Sequence, residues 1–351
     1  MNNTLEQTLK QFLLKGTVIP AHPLALNHSR KLDERYQRAL TRYYIDSGAG
    51  GIAVAVHTTQ FEIRLPQYKL FEKVLALAME EVNKAKLERP FLPIAGILGP
   101  VDQALQEARI AKDMGYAMGL LSNGGLPNLT ESELIERVER VAEIIPVFGF
   151  YLQPAVGGRI LSFDFWKRFA AVENVHAIKV AAFNRYQTLD VVRAVALCER
   201  ANEVALYTGN DDNIIGDLVT PYKFIKDGKD VEKSFVGGLL GHWAFGTKQA
   251  VHLLEKIKIA SEAKIRSVLS EGIEITDVNA AVFDPAHNFH GCIAGINEVL
   301  RRQGLLGTNL CLSDKEVLSS GQAEEISRVH DNYPHLHDDI FVAANLQRWL
   351  S

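Results

Sequence analysis

The sequence predicts a (β/α)8 barrel, the TIM-barrel fold. Eight short apolar runs rich in Val, Ile and Ala alternate with amphipathic segments of helical period. The runs recur about every 30 residues, which is the size of one βα unit. Parallel strands must be covered on both faces or closed into a barrel, and eight units favour closure. An open doubly wound sheet would carry a Gly-rich phosphate loop after its first strand, and "IPAHPLALNHS" has none.

The eight predicted strands are bounded by turn residues or by the ends of helical patterns. They cover residues 16–21, 51–56, 91–96, 116–121, 147–152, 175–181, 203–208 and 233–240.

Helix starts are predicted from capping residues. Thr130 followed by Glu133 forms a capping box, and Ser162 and Thr188 are further predicted caps. An N-terminal helix over residues 1–14 precedes the barrel.

The predicted barrel domain covers residues 1–265. The segment "KQAVHLLEKIKIASEAKIRSVLS" reads as its closing helix. Residues 266–351 read as a C-terminal helical region, and no Pro/Ser-rich linker separates it from the barrel. We therefore expect it to pack on the barrel or on a partner subunit.

Composition excludes several classes of function. A net charge of −4 without long runs of like charge argues against nucleic acid and anionic membranes as partners. The N-terminus lacks a signal-peptide pattern and no apolar run reaches membrane-spanning length, so a cytoplasmic location is expected. Cys198, Cys292 and Cys311 form no C-x-x-C pair, which fits free thiols in a reducing compartment.

Lys179 is the residue that most needs an explanation, because it lies in the apolar strand "VHAIKVA". Active sites of such barrels form at the C-terminal ends of the strands. Burial disfavours an ammonium ion, and a neutral amine attacks a ketone to form a Schiff base. A lysine paired with a carboxylate, or one whose stem reaches the barrel rim, is the alternative.

Two other strand ends carry polar groups that suit this chemistry. Tyr151 ends the fifth strand, where a phenol can move protons, although a lone tyrosine also commonly caps a core. Thr58 and Thr59 follow the second strand, where hydroxyl and backbone N–H donors can hold a carboxylate or simply form a turn.

These motifs together resemble the dihydrodipicolinate synthase and N-acetylneuraminate lyase family, which comprises class I, pyruvate-handling aldolases. The likeness covers roughly residues 14–300 and includes "GTVIPAHPLAL", the Thr-Thr pair, Y-x-x-P, I-K and "LYTGNDD". The resemblance implies that Lys179 is the Schiff-base lysine and Tyr151 the proton shuttle. Thr58 would relay protons and Thr59 would grip the pyruvate carboxylate, while Gly209 and Leu240 would line the pocket.

The chain departs from the family pattern around the second substrate. His57 and Gln60 replace glycines beside the Thr pair, so His57 is expected to lie near the carboxylate. "LLSNGGLPN" lacks the family's tyrosine, and Val156 stands where those enzymes carry an arginine. Dihydrodipicolinate synthase activity itself is therefore not expected. A related lyase, hydratase or aldolase is predicted, in which Asn184, Arg185 and Arg159 contact the variable end of the substrate.

The implied reaction needs no metal or organic cofactor, because the covalent imine on Lys179 supplies the electron sink. The expected partners are pyruvate or a related 2-keto acid and an aldehyde or hydroxy-keto acid. Family members commonly assemble, so a homo-oligomer, dimer or tetramer, is expected.

Two other functions remain open from the sequence. A metal-dependent barrel hydrolase would use histidines on or near the strands, namely His22, His57, His176 and His242. A barrel that binds keto acids without turnover is the other, motivated by the missing tyrosine and arginine.

Overall fold

The computed structural model describes residues 4–351. The strands of its main sheet are β1 (Val18–Pro20), β2 (Gly51–Val54), β3 (Leu92–Ile97), β4 (Met118–Ser122), β5 (Val147–Leu152), β6 (Val175–Ala181), β7 (Ala205–Thr208) and β10 (Phe235–Leu240). Their order is β1-β10-β7-β6-β5-β4-β3-β2, and a parallel bridge between Ala21 and Ala53 joins the two end strands. This is the predicted (β/α)8 topology. Six of the eight predicted runs contain one of these strands, and β3 and β4 each end one residue beyond the predicted run.

One helix precedes the strands, and the others lie between and after them. They are α1 (Gln7–Lys15), α2 (Glu34–Asp46), α3 (Phe71–Ala85), α4 (Val101–Asp113), α5 (Glu131–Ala142), α6 (Phe163–Ala171), α7 (Arg185–Leu197), α8 (Ile214–Val219), α9 (Thr247–Lys258), α10 (Glu262–Phe283), α11 (Cys292–Arg302), α12 (Gln322–Asn332) and α13 (Asp339–Leu350). The predicted single closing helix is in fact two, α9 and α10, because Ser261 begins a new helix. α10 also spans the predicted domain boundary at residue 265, which stays an expectation.

The chain forms two compact units by internal contacts. The first contains Leu92–Leu239 and the N-terminal segment through Thr17. In it, α6 packs on the outer face of β5, where a Cβ at Gly149 would lie 2.5 Å from the Phe169 ring. Only a glycine therefore allows this close helix–strand approach.

The second unit contains Val18–Phe91 and Leu240–Ser351. Here α13 packs on α2, and the Tyr43 hydroxyl donates to Asp338 Oδ2 at 2.6 Å. Arg42 donates to the carbonyl oxygen of Trp349, so charged and aromatic groups both fasten the C-terminal helix.

Two of the three predicted caps are confirmed. Thr130 and Glu133 form the reciprocal capping box of α5, and Ser162 Oγ accepts from Phe165 N at 3.0 Å. The prediction for Thr188 is wrong, because α7 begins one turn earlier. Asn184 is its cap, since its side chain accepts from the first backbone N–H groups of the helix.

A β-hairpin that the sequence reading missed lies between α8 and β10. It pairs β8 (Tyr222–Lys226) with β9 (Lys229–Lys233) in antiparallel register. Asp227 and Gly228 form its turn with φ of 50° and 75°. An Asp-Gly pair with both φ values positive is the usual two-residue hairpin turn, so the signal was present.

Within residues 4–351, none of the helices has the length and apolar character needed to cross a membrane.

Candidate functional site

Lys179 lies in the interior of β6, in the first unit. All seven residues of this strand are buried, and Lys179 is 8% exposed. Its Cα partners are Phe150 on β5 and Tyr207 on β7. Paired residues of parallel strands face the same side of a sheet, and the Lys179 Nζ lies 4.4 Å from the centroid of the Phe150 ring. An aromatic face at this distance attracts a cationic nitrogen.

Gly209 directly follows β7 and lies against the stem of Lys179. A Cβ at this position would be 2.6 Å from Lys179 Cε and 2.9 Å from Ala181 Cβ. The Gly209 backbone N–H donates to the carbonyl of Val180 at 2.7 Å, which extends the strand ladder past Lys179. Glycine is thus required for the lysine side chain to occupy this place.

Tyr151 follows Phe150 on β5 and faces the opposite side of the strand. Its ring packs on Trp166 of α6 with centroids 5.1 Å apart, and the residue is 1% exposed. The hydroxyl approaches the backbone of Leu161 but has no partner with hydrogen-bond geometry. Burial raises the pKa of Tyr151 above its usual value of 10. The structure therefore brings Phe150, and not Tyr151, to Lys179.

A buried polar network lies beyond the end of β7, and the sequence reading missed it. Its centre is Asp217, which is fully buried. Asp217 Oδ2 accepts from Thr208 Oγ1 at 2.7 Å and from Asn210 Nδ2 at 2.8 Å. Asn210 Oδ1 in turn accepts from Phe183 N at 2.9 Å, just after β6. The network fixes the chain on both sides of Gly209, beside Lys179.

Asn184 and Arg185, predicted to contact substrate, have partners inside the protein. Asn184 caps α7, and Arg185 donates to Asp217 and to Thr188 Oγ1. Burial disfavours the charged Arg185, but the neighbouring Asp217 carboxylate outweighs it and raises the arginine pKa.

Arg159 joins two loops that follow β4 and β5. Its Nη1 donates to the carbonyl oxygens of Leu126 and Leu129 at 2.9 and 2.8 Å. The loops also approach closely at Gly124, where a Cβ would lie 2.6 Å from the Gly157 carbonyl oxygen. Arg159, in the loop after β5, therefore holds the loop after β4 in place.

The Thr pair lies in the second unit, in a 3-10 turn after β2. The hydroxyls of Thr58 and Thr59 both donate to the carbonyl oxygen of His22, at 3.2 and 2.6 Å. Thr59 Oγ1 also accepts from Val56 N at 3.2 Å. Ala55 has a φ of 61°, so the backbone that presents the pair is strained.

His57, Gln60 and Leu240 also lie in the second unit. The His57 ring packs edge-on against Phe61 with centroids 5.7 Å apart. Gln60 has a φ of 68°, in the left-handed region that favours glycine, and its Oε1 accepts from Leu312 N at 2.6 Å. Leu240 is buried at the end of β10, where its carbonyl accepts from Ala21 N.

The strand histidines of the metal-hydrolase alternative have other partners. His22 Nε2 lies 2.9 Å from Thr41 Oγ1, His176 Nε2 lies 3.0 Å from Asn174 Oδ1, and His242 Nδ1 lies 2.7 Å from Asn279 Oδ1. Burial lowers the pKa of each of these three imidazoles to about 4. In the described part of the chain, the one cluster with metal-ligand spacing is His330, His337 and Asp339, far along the sequence from the barrel strands. Within residues 4–351, His22, His57, His176 and His242 do not form a group with metal-ligand spacing.

The similarity of this chain to known proteins is found among solved structures. No family model matches the sequence, and neither does any curated protein. Among solved structures, dihydrodipicolinate synthase from Oceanobacillus iheyensis matches with a TM-score of 0.73 at 19% identity, over 93% of this chain and 99% of that one.

Some of the similar structures contain pyruvate. The chloride-inhibited dihydrodipicolinate synthase from Acinetobacter baumannii, complexed with pyruvate, gives a TM-score of 0.73 at 17% identity, with 91% and 99% of the two chains covered. N-acetylneuraminate lyase from Fusobacterium nucleatum, also complexed with pyruvate, gives 0.70 at 17%, with 91% and 97% covered. The chain thus has the (β/α)8 fold of the dihydrodipicolinate synthase and N-acetylneuraminate lyase family.

Proposed function

We propose that this protein is a Schiff-base-forming lyase or aldolase that acts on pyruvate or a related 2-keto acid. The observation that carries the proposal is Lys179, a buried amine in a barrel strand, held between the Phe150 ring and Gly209. The pyruvate bound to structures of the same fold supports the choice of keto acid. The departures at Val156 and in "LLSNGGLPN" favour a second substrate other than that of dihydrodipicolinate synthase.

The first chemical step joins Lys179 to the ketone. The neutral amine attacks the carbonyl carbon, the carbonyl oxygen leaves as water, and a protonated imine remains. Phe150 presents its ring to this cationic nitrogen, which the ring quadrupole stabilises.

The imine then makes the adjacent carbon acidic. Loss of a proton from the pyruvate methyl group gives an enamine, which attacks an aldehyde carbon to form the new C–C bond. Cleavage of a 4-hydroxy-2-keto acid is the reverse, and loss of a hydroxyl group as water is the related dehydration. Each route regenerates the free lysine by hydrolysis, without a metal or organic cofactor.

Tyr151 and Thr58 are the proposed proton carriers, and Thr59 is the proposed holder of the carboxylate. For Tyr151 the role requires a change in the backbone at the end of β5 when substrate binds, because its side chain projects from the face of the strand opposite Lys179. The hydroxyl has no hydrogen bond to lose in that movement. His57, Gly209 and Leu240 keep the lining roles that the resemblance implies.

Asn184, Arg185 and Arg159 are reassigned in this proposal from substrate contact to positioning. Their donors or acceptors are used within the first unit, on the α7 backbone, on Asp217 and on the loop after β4.

The decisive experiment is reduction of the protein with sodium borohydride in the presence of pyruvate. Intact mass and peptide mapping should show one adduct, on Lys179, and Lys179→Ala should abolish it. Lys233→Arg is a matched control, because Lys233 is a half-buried lysine whose pKa burial lowers to about 8. Its Nζ donates to the carbonyls of Ala201 and Val204, which places it in a structural role. An adduct on Lys233, or none at all, would overturn the proposal.

A second measurement separates an enzyme from a keto-acid-binding barrel. An enzyme that forms the enamine exchanges the methyl protons of pyruvate for deuterium in D2O, which proton NMR follows without knowledge of the second substrate. Trapping without exchange would favour the non-catalytic barrel. Self-association, expected from the resemblance, is read by light scattering on the same preparation.

A further inference from the structure

A histidine-rich corner joins the last two helices of the second unit. His330 lies in the last turn of α12, a 3-10 turn over Pro334–Leu336 follows, and α13 begins at Asp339. His337 lies between the turn and α13. We refer to His330, His337 and Asp339 as the His/Asp corner.

The three side chains of the His/Asp corner converge on one point. His330 Nε2 lies 2.7 Å and His337 Nδ1 3.2 Å from Asp339 Oδ2. The three possible ligand atoms all lie within 4.8 Å of one another. Two imidazoles and one carboxylate are a common ligand set for zinc and similar divalent metals.

The groups around the corner resemble the outer shell of a metal site. His337 Nε2 lies 3.2 Å from the carbonyl oxygen of His330, and since a carbonyl only accepts, Nε2 carries the proton and Nδ1 faces Asp339. That Nδ1 lies 3.2 Å from Asp339 Oδ2, and a bound cation would replace this contact. Gln303 Nε2 donates to Asp339 Oδ1 at 3.0 Å and orients the carboxylate. Metal-binding histidines usually donate their other N–H to a carbonyl or carboxylate in this way.

An adjacent cavity leaves room for further ligands. Its volume is about 410 Å³, and all three corner residues line it together with Arg302 and Gln303. Apolar side chains of α10 and α12, among them Val282 and Ile326, form another part of its wall. A cation at the corner would therefore keep open coordination positions for water or a small anion.

We propose that the His/Asp corner binds one divalent cation of the zinc class. The two imidazole rings are stacked, with centroids 4.1 Å apart and 9° between their planes. A metal lies in the plane of the ring that binds it, so one ring turns on binding. His330, with 39% of its side chain exposed against 16% for His337, is the ring with space to do so. The proposal does not depend on the chemistry of Lys179.

The experiment uses the full chain without a polyhistidine tag, after treatment with a chelator. Titration with Zn²⁺ against a chromogenic competitor should give one site per chain, and Co²⁺ should give the visible absorption of a low-symmetry four- or five-coordinate site. His330→Ala, His337→Ala and Asp339→Asn should each weaken Zn²⁺ affinity by about 100-fold or more, and Gln303→Ala by about 10-fold.

His335→Ala is the matched control. His335 lies in the same turn but pairs with Glu274, so its loss should leave metal affinity unchanged. Circular dichroism of the metal-free variants tests that each is folded. If Zn²⁺ does not bind at one site per chain, or still binds after His337→Ala and Asp339→Asn in folded protein, the His/Asp corner is not a metal site. Its side chains would then only pair with one another.

Discussion

The Nζ of Lys179 lies 4.4 Å from the centroid of the Phe150 ring, on the residue paired with it across β5 and β6. The tyrosine that the sequence motif singles out is the next residue, on the other face of β5. An aromatic ring thus adjoins the amine, but it carries no hydroxyl. We therefore expect Phe150 to affect the protonation of Lys179, and a substitution can test this.

Phe150→Leu should shift the pH dependence of pyruvate trapping. The ring stabilises a cation by about 0.5–2 kcal/mol, so its loss favours the neutral, nucleophilic amine. The pH of half-maximal trapping rate should therefore fall by roughly 0.4–1.5 units. Phe150→Tyr keeps the ring and should keep the midpoint. Equal midpoints for all three proteins would remove Phe150 from the mechanism.

Tyr151→Phe tests the proton shuttle. If the hydroxyl moves protons, deuterium exchange into pyruvate should slow by about 100-fold or more, while borohydride trapping persists. The folded state should be little affected, since the hydroxyl makes no hydrogen bond and the ring contact with Trp166 is kept. Exchange at the normal rate would leave Tyr151 as a packing residue.

Asp217→Asn should destabilise the first unit. The carboxylate is fully buried and accepts hydrogen bonds from Thr208 and Asn210, while its partner Arg185 is 43% exposed. Replacing a buried acceptor of these hydrogen bonds should cost about 1–3 kcal/mol. Urea unfolding would measure this change. Asp190→Asn is the control, because its pair with Arg193 has both side chains more than 40% exposed and contributes about 0–1 kcal/mol. If both changes lower the free energy of unfolding equally, the Asp217 network stabilises the first unit no more than an exposed ion pair does.

Glu81 in α3 should make the second unit sensitive to acid. Burial acts to raise its pKa, but hydrogen bonds from Arg42, Lys84 and Arg38 outweigh burial and lower it to about 2. Because the folded pKa lies below that of the unfolded chain, the stabilisation is full above about pH 4.5. It is lost as the pH falls toward 2.

Glu81→Gln should therefore lower stability near pH 7 by roughly 1–3 kcal/mol and flatten the fall in stability between pH 4.5 and 2. Thermal melts across this range compare the variant with the parent chain. If the stability of Glu81→Gln falls between pH 4.5 and 2 as steeply as that of the parent chain, other groups cause the acid sensitivity.

Much of the fold and part of the site could be predicted from local sequence patterns. Apolar runs at a spacing of one βα unit predict eight strands, and capping residues such as Thr130 and Ser162 predict where helices begin. The cap at Thr188 was predicted wrongly, and the hairpin turn at Asp227 and Gly228 was not predicted. In the first case Asn184, an equally good cap, begins the helix one turn earlier.

The sequence by itself determined the fold class and the presence of a buried lysine in the sixth barrel strand, because strand period and hydrophobicity are local properties. Only the tertiary structure decided which side chains meet Lys179. The register between β5 and β6 decides which side chains face each other. It turns Phe150 toward the amine and Tyr151 toward Trp166. The Asp217 network and the His/Asp corner were likewise invisible in the sequence. In each group a turn brings nearby residues together, and a side chain from another segment, Arg185 or Gln303, completes it. A carboxylate's burial is decided by that packing rather than by its neighbours in the chain.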